Sequence, residues 1–375
     1  IAVVGGGVIG LSIGWYLARL GEKPVVFERG DAGRGASWAS AGMLAPIMEA
    51  EPGEERLTKL LLEARNRWDK FAHELQKTSD ISLDYHSDGI LMVALNRDDL
   101  EYLRSHYRYQ RSLGLDVELL DSDSVREMEP WLTADVLAGL YSKKDGHVDC
   151  RQLVTALKKA YQDSGGTLKE HTEIKKIIVE DGRVKGVYSS SGLQPFEKVV
   201  IAAGAWSGSI DGLPAGARPQ VRPIRGQMIA VETSGGEATI RHPIWGPPRN
   251  WGPIYMVPRR GRILLGTTVE EMGFDTSVTA GGIFNILRGC REIAPFISEL
   301  PVAETWAGLR PGSKDDAPIL GPTPVEGLYM ATGHFRNGIL LAPLTAEFLT
   351  ECLLNDHVPE YARDFTIERF GDQNV

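Results

Sequence analysis

The chain has 375 residues, 42% hydrophobic and 24% charged, with a formal net charge of −9. That balance belongs to a globular protein and excludes disordered or collagen-like chains, and the length predicts two or three domains at ~150 residues each. The acidic sum, with no run of Lys or Arg, argues against a nucleic-acid or anionic-membrane partner.

Residues 1–18 carry no charge, as a membrane span would, but five of the first fourteen residues are glycine and no basic segment precedes them. No other segment is expected to approach ~20 apolar residues. The chain begins at Ile1 inside an expected strand, so a few residues are expected to precede it. Residues 1–4 read as a buried strand, 8–20 as a helix and 24–28 as a second strand, together a βαβ unit with parallel strands. Small residues dominate 30–46. A long amphipathic helix is predicted over 54–77, strands over 89–95 and 115–120 and a helix over 98–112 between them. Then come a helix at 150–164 and strands at 167–170, 174–180, 184–189 and 196–202. Residues 218–310 read mainly as strands (221–231, 254–258, 262–268, 302–309), with one helix near 280–293. The end returns to strand, glycine and helix: 328–332, Gly333, 338–354. Cys150, Cys290 and Cys352 lie far apart without CxxC spacing, which predicts no disulfide framework or zinc site and points to a reducing cytoplasm.

Gly5-Gly6-Gly7-Val8-Ile9-Gly10 fits the dinucleotide fingerprint G-x-G-x-x-G in its required context, after a strand and opening a helix. Gly5 allows the tight turn, Gly7 lets backbone approach a pyrophosphate and Gly10 lets helix pack on strand. The helix N-terminus offers free N–H groups and positive potential to phosphate. Glu28, at the end of the second strand, can accept from a ribose 2′-OH and disfavours a 2′-phosphate. The fingerprint alone does not separate FAD from NAD. Gly33–Met43 (GRGASWASAGM) follows directly and is small enough for backbone to approach a flat ring or a phosphate. Two further strand–glycine junctions, Val199–Ser207 and Met330–Leu340, point to the same cofactor.

The fingerprint with Glu28, the ASAGML stretch (39–44), WAGLRPG (306–312) and GHFRNGILLAP (333–343) together resemble the FAD-dependent amine oxidases of the D-amino-acid oxidase group, in particular its glycine-oxidising branch tied to thiamine biosynthesis. The resemblance spans essentially the whole chain. It implies an α/β fold: a doubly wound parallel-sheet FAD domain and an interleaved α+β substrate domain built on a large antiparallel sheet. On this chain the FAD domain would comprise residues 1–80, 146–210 and 306–375, and the substrate domain 81–145 and 211–305. The resemblance also implies non-covalent FAD, oxidation of small amines by O₂ with release of H₂O₂, a homotetramer, and imine delivery to a thiazole synthase.

Carried over residue by residue, Val8, Ile9, Glu28 and Arg29 would hold the phosphates and ribose. Ala36, Ser37, Ala41, Gly42 and Met43 would flank the flavin. Ile174 would lie near the adenine, Gly204 at the middle junction, and His334, Phe335, Arg336, Asn337, Gly338, Ile339 and Leu340 at the isoalloxazine. Arg310, Arg336 and Tyr255 would contact substrate. A planar guanidinium suits a substrate carboxylate through two parallel hydrogen bonds. Taken alone, Arg310 beside Pro311 and Gly312 reads rather as a surface charge or a turn cap, Tyr255 equally as a core residue, and His334 as a helix-cap or core histidine to which no proton transfer is assigned. Trp206, Trp251 and Trp306 either line the pocket or pack the core. Segments 44–56, expected at the active-site mouth, and 250–254 do not align with the family. Rival readings are a sarcosine or D-amino-acid oxidase, a quinone-linked dehydrogenase, an NAD-dependent dehydrogenase, and a non-catalytic or nucleic-acid-modifying flavoprotein.

Overall fold

The computed structural model describes residues 1–233, 240–249 and 252–371. The expected βαβ unit forms: β1 (Ala2–Val4), α1 (Val8–Arg19) and β2 (Val25–Phe27), with β1 and β2 parallel. β1 is buried throughout because helices and sheet cover both its faces, which is why it reads as an unbroken apolar run. On its other side β1 pairs in parallel with Val199–Ile201, and that strand with Leu328–Thr332. Thr167–Lys169 extends the sheet beyond β2, and Ile319–Pro322 closes the opposite edge as its one antiparallel strand. A three-stranded antiparallel meander (Ile174–Glu180, Arg183–Ser189, Gly192–Pro195) covers one face. On the other face α1 packs against the helices Cys150–Asp163 and Gly338–Asn355.

The second layer is an eight-stranded sheet. Its order is 302–312, 222–232, 262–266, 252–259, 244–249, 90–94, 138–142, 118–121. It is antiparallel except where Ile90–Ala94 runs parallel to Ile244–Arg249. Strand Val302–Gly312 stays paired with Arg222–Glu232 as far as Gly312. The expected change of domain at 305/306 therefore falls inside a strand, and the chain returns to the parallel sheet only after residue 312.

Several elements escape the sequence pattern: the helix Ser122–Met128 and the strands Ala138–Ser142, Ile244–Arg249 and Ile319–Pro322. Ala138–Ser142 (AGLYS) lacks β-branched residues, yet it is wholly buried between two partners. Its Gly139 is needed because a Cβ there would come within 2.8 Å of Val125 and Leu91 side chains. No other helix among the described residues comes as near to a long apolar segment as the last one, which still carries Glu347 and Glu351. Helix Gly338–Asn355 is long and apolar enough to cross a bilayer, but it is largely buried among the core helices.

Candidate active site

A cavity of about 1130 Å³ runs between the two sheets. That is more room than a drug-sized ligand takes and suits a dinucleotide with a small second molecule. Its first end is the glycine turn. Gly5 has φ +113°, and a Cβ there would lie 2.3 Å from the Ala202 carbonyl oxygen. At Gly10 a Cβ would lie 1.9 Å from the Gly5 carbonyl oxygen, so α1 can close on the turn only without a side chain. Gly10 thus shapes the cradle without lining it. The Val8 N–H donates to Ser37 Oγ (2.9 Å), which joins the small-residue run to the turn. Glu28 accepts from the Gly6 N–H through Oε2 (2.8 Å) and from the Gly30 N–H through Oε1 (3.0 Å). Arg29 lies 3.7 Å over the Trp206 ring, and Ile174 and Gly204 line the cavity close by.

This end fits the adenosine diphosphate half of FAD. N–H groups at an α1 N-terminus without a side-chain cap on its N-cap residue Gly7 meet a glycine cradle, and a carboxylate sits where a ribose hydroxyl would lie. Glu28→Gln keeps the size but removes the charge and turns one of the two acceptor oxygens into a donor. It is expected to weaken FAD binding about tenfold, roughly 1.4 kcal/mol, just below the range of about 1.5–3 kcal/mol for a hydrogen bond to a charged group. Fluorescence of released flavin measures it; unchanged affinity removes Glu28 from the ribose site.

The floor is the helix Ala36–Ala39 followed by Ala41, Gly42 and Met43. Gly42 has φ +79°, and a Cβ there would meet the Val148 carbonyl oxygen at 2.0 Å. At the far end the turn Gly333–Asn337 docks on the end of strand Val302–Gly312. His334 bridges to Gly312, and the Phe335 N–H donates to the Pro311 carbonyl (2.9 Å). That docking brings Arg336 and Arg310 to one cavity, which no sequence spacing shows.

Arg310 donates through Nη2 to Thr267 Oγ1 (2.8 Å) and through Nη1 to the Thr268 carbonyl (3.2 Å). Among the described residues its hydrogen bonds go to neutral oxygens, which leaves its charge for a ligand. Gly226 on the neighbouring strand makes the space: a Cβ there would lie 2.2 Å from Arg310 Nη1. The Tyr255 phenol lines the same recess, 3.3 Å from Met228 Sδ. Burial raises its pKa, so it stays protonated and able to donate.

Arg336 also lines the cavity, but it is already engaged. Its Nε lies 2.7 Å from Glu49 Oε2 and its Nη2 3.4 Å from Glu54 Oε2. Burial pushes the Glu49 carboxyl above the usual range against the pull of Arg336, and Glu49 in turn raises Arg336. His334 is buried, its Nε2 3.1 Å from Thr345 Oγ1, and desolvation pushes its pKa down to about 3. It is neutral at any working pH and supplies no proton as an imidazolium.

Gly338 and Ile339, in the first turn of the last helix, line the cavity with Phe335. Asn337 and Leu340 do not, contrary to expectation. Asn337 is buried as the N-cap residue, and Leu340 packs into the core while its carbonyl accepts from Trp68 Nε1 (2.8 Å). Trp206 lines the cavity, whereas Trp306 is a core residue donating to the Ala39 carbonyl (3.0 Å). Asn250 and Trp251 lie outside the described residues.

Sequence reasoning missed Met48 and Glu49, which face the cavity from the turn 46–49. In the run MEAEPGEE (48–55) Glu49 looks like one solvated acid among several. Its position six residues after Met43, inside a segment expected at the mouth, was the available signal. Elsewhere His86, Asp88 and His147 gather within 4.8 Å. Arg259 Nη1 donates to His147 Nδ1 (2.7 Å), which leaves the ring proton on Nε2, so the group offers a poor ligand set.

A nucleotide cradle on one sheet, closed by a second sheet whose guanidinium has neutral partners among the described residues, suits a flavin-dependent oxidoreductase of small carboxylates. Residues 1–352 match the family described as FAD dependent oxidoreductase, and the chain belongs to that family. It is 35% identical over 348 residues to a glycine oxidase of Geobacillus kaustophilus, covering 92% of this chain and 90% of that one. A solved glycine oxidase of Bacillus cereus superposes with a TM-score of 0.89 at 33% identity, covering 98% of this chain and 97% of that one. The bifunctional protein ThiO/ThiG of Trichormus variabilis is 32% identical across the whole of this chain, which spans 55% of its length.

Proposed function

We propose that this FAD-dependent amine oxidase deaminates glycine and other small amines such as sarcosine and small D-amino acids, with the Arg310 guanidinium clamping the substrate carboxylate. The observation that carries the reading is Arg310 itself, set in the cavity over Gly226 with only neutral partners among the described residues. The Tyr255 hydroxyl adds a donor to the same carboxylate. Bound FAD supplies a two-electron acceptor for the hydride leaving the substrate α-carbon and returns the electrons to O₂ as H₂O₂. The chain's own part is to hold the amino acid by its carboxylate end, exclude water, and bind the form whose amine is neutral, so that the nitrogen lone pair drives hydride departure. No side chain is assigned as a general base.

The imine product hydrolyses to glyoxylate and ammonia or passes to a thiazole synthase. A relative in which the two activities share one polypeptide supports the second route. The same reading carries a cytoplasmic homotetramer. Three free, buried cysteines support a reducing compartment, and light scattering on the pure protein measures the assembly.

The deciding experiment is a visible spectrum of the purified protein followed by H₂O₂ release on glycine, sarcosine and D-alanine. Oxidised-flavin bands with peroxide formation are expected. Flavin reduction by these amines without O₂ uptake would favour a quinone-linked dehydrogenase, and a colourless protein would remove the reading.

A further inference from the structure

The turn that brings Met48 and Glu49 to the cavity is held from behind by a carboxylate that no step of the oxidation uses. Asp145 is fully buried. It accepts the Ile47 N–H through Oδ1 (3.2 Å) and the Met48 N–H through Oδ2 (2.8 Å). From the other side buried Gln110 donates through Nε2 to the Ile47 carbonyl (2.7 Å). The turn is closed internally by the Glu49 N–H on the Ala45 carbonyl (3.0 Å).

Asp145 follows the buried strand Ala138–Ser142, and its own carbonyl accepts the Gly89 N–H (3.1 Å). It is thus fixed to the large sheet and grips a segment that belongs to the cavity wall. Arg65 stands on the opposite side, donating to the neighbouring Lys144 carbonyl (2.8 Å). A buried carboxylate is costly unless its lone pairs are met. Here two backbone N–H groups meet two of them, and burial still lifts its pKa to about 7. Beyond the grip the chain places Glu49 Oε2 2.7 Å from Arg336 Nε.

We propose that Asp145 is a positioning residue for substrate selection: by pinning the turn 46–49 it holds the Glu49 carboxylate in the cavity and so favours ligands with one carboxylate over ligands with two. The proposal rests on the reading of the recess at Arg310 as a carboxylate site. An amide at position 145 accepts from one of the two N–H groups and turns a donor toward the other. The turn then loosens, and Glu49 no longer stands where a second carboxylate would come.

The test measures binding of acetate and malonate, which differ by one carboxylate, from the perturbation of flavin absorbance in the FAD-loaded protein. The wild-type protein is expected to prefer acetate. Glu49→Gln should shift the ratio of dissociation constants toward malonate about tenfold and Asp145→Asn about fivefold, and the double variant should match Glu49→Gln alone, because the two act as one unit. A purely structural Asp145 would lower thermal stability or flavin content and leave the ratio in the loaded protein unmoved. A wild-type ratio in FAD-loaded Asp145→Asn, or additive shifts in the double variant, overturns the proposal. Should Asp145→Asn yield no loaded protein, Gln110→Met loosens the same turn from its carbonyl side, and an unmoved ratio there overturns it equally. Wild-type protein responding to neither anion refutes the carboxylate site itself, a different failure.

Discussion

Arg310→Ala is expected to lower kcat/KM for glycine by about 10²- to 10³-fold, with most of the loss in KM, while a carboxylate-free amine such as ethylamine loses less than about threefold. Two charge-assisted hydrogen bonds at ~1.5–3 kcal/mol each set the upper bound, and Tyr255 retains part of the grip, which leaves roughly 3–4 kcal/mol. The geometry makes the effect specific. The guanidinium is braced by Thr267 and Thr268 on one side, and it occupies space that exists only because residue 226 has no side chain. Removing it opens a gap at the recess and leaves the nucleotide cradle untouched, so FAD content should not change. Equal losses on glycine and ethylamine would show that Arg310 shapes the fold and does not bind the carboxylate.

Glu49→Gln is expected to raise kcat/KM for iminodiacetate relative to sarcosine by about ten- to thirtyfold. These two amines differ by a carboxylate on the nitrogen substituent. Like charges about 7 Å apart repel by roughly 2 kcal/mol at an effective dielectric near 20. Arg336 offsets part of that in the wild-type protein, and the variant frees Arg336 to attract the added carboxylate. The pH dependence has a definite sign. Burial raises the Glu49 pKa, so its charge is present above that value and disappears as pH falls through it. Wild-type discrimination against iminodiacetate should therefore weaken toward acid, whereas Glu49→Gln should show little pH dependence in the ratio. A ratio that does not move in the variant would place Glu49 too far from the substrate nitrogen to matter.

The nucleotide half of the site was legible in the sequence because its determinants are local. The turn Gly5–Gly10, the first turn of α1 and Glu28 lie within thirty residues, and Gly5 and Gly10 each answer to a specific collision. The last helix and its preceding turn were legible for the same reason, apart from Asn337 and Leu340. Those two sit one helical position away from residues that do face the cavity, and a motif cannot resolve that rotation. The substrate half was legible only through family resemblance at Arg310 and Tyr255. Glu49 was not legible, because what makes it a cavity residue is Asp145, about a hundred positions further along the chain. Strand Ala138–Ser142 was missed for a related reason: tertiary packing around Gly139 overrides its weak strand propensity.

The way the two sheets share the chain bears on how the protein is made. β1 and β2 are close in the chain and can pair as soon as both are made, whereas the other neighbour of β1, Val199–Ile201, is synthesised much later. At ~5–20 residues per second that flank stays open for about ten to forty seconds. Until then that edge of β1 lacks its partner strand, and a fragment ending before residue 199 is expected to bind no flavin.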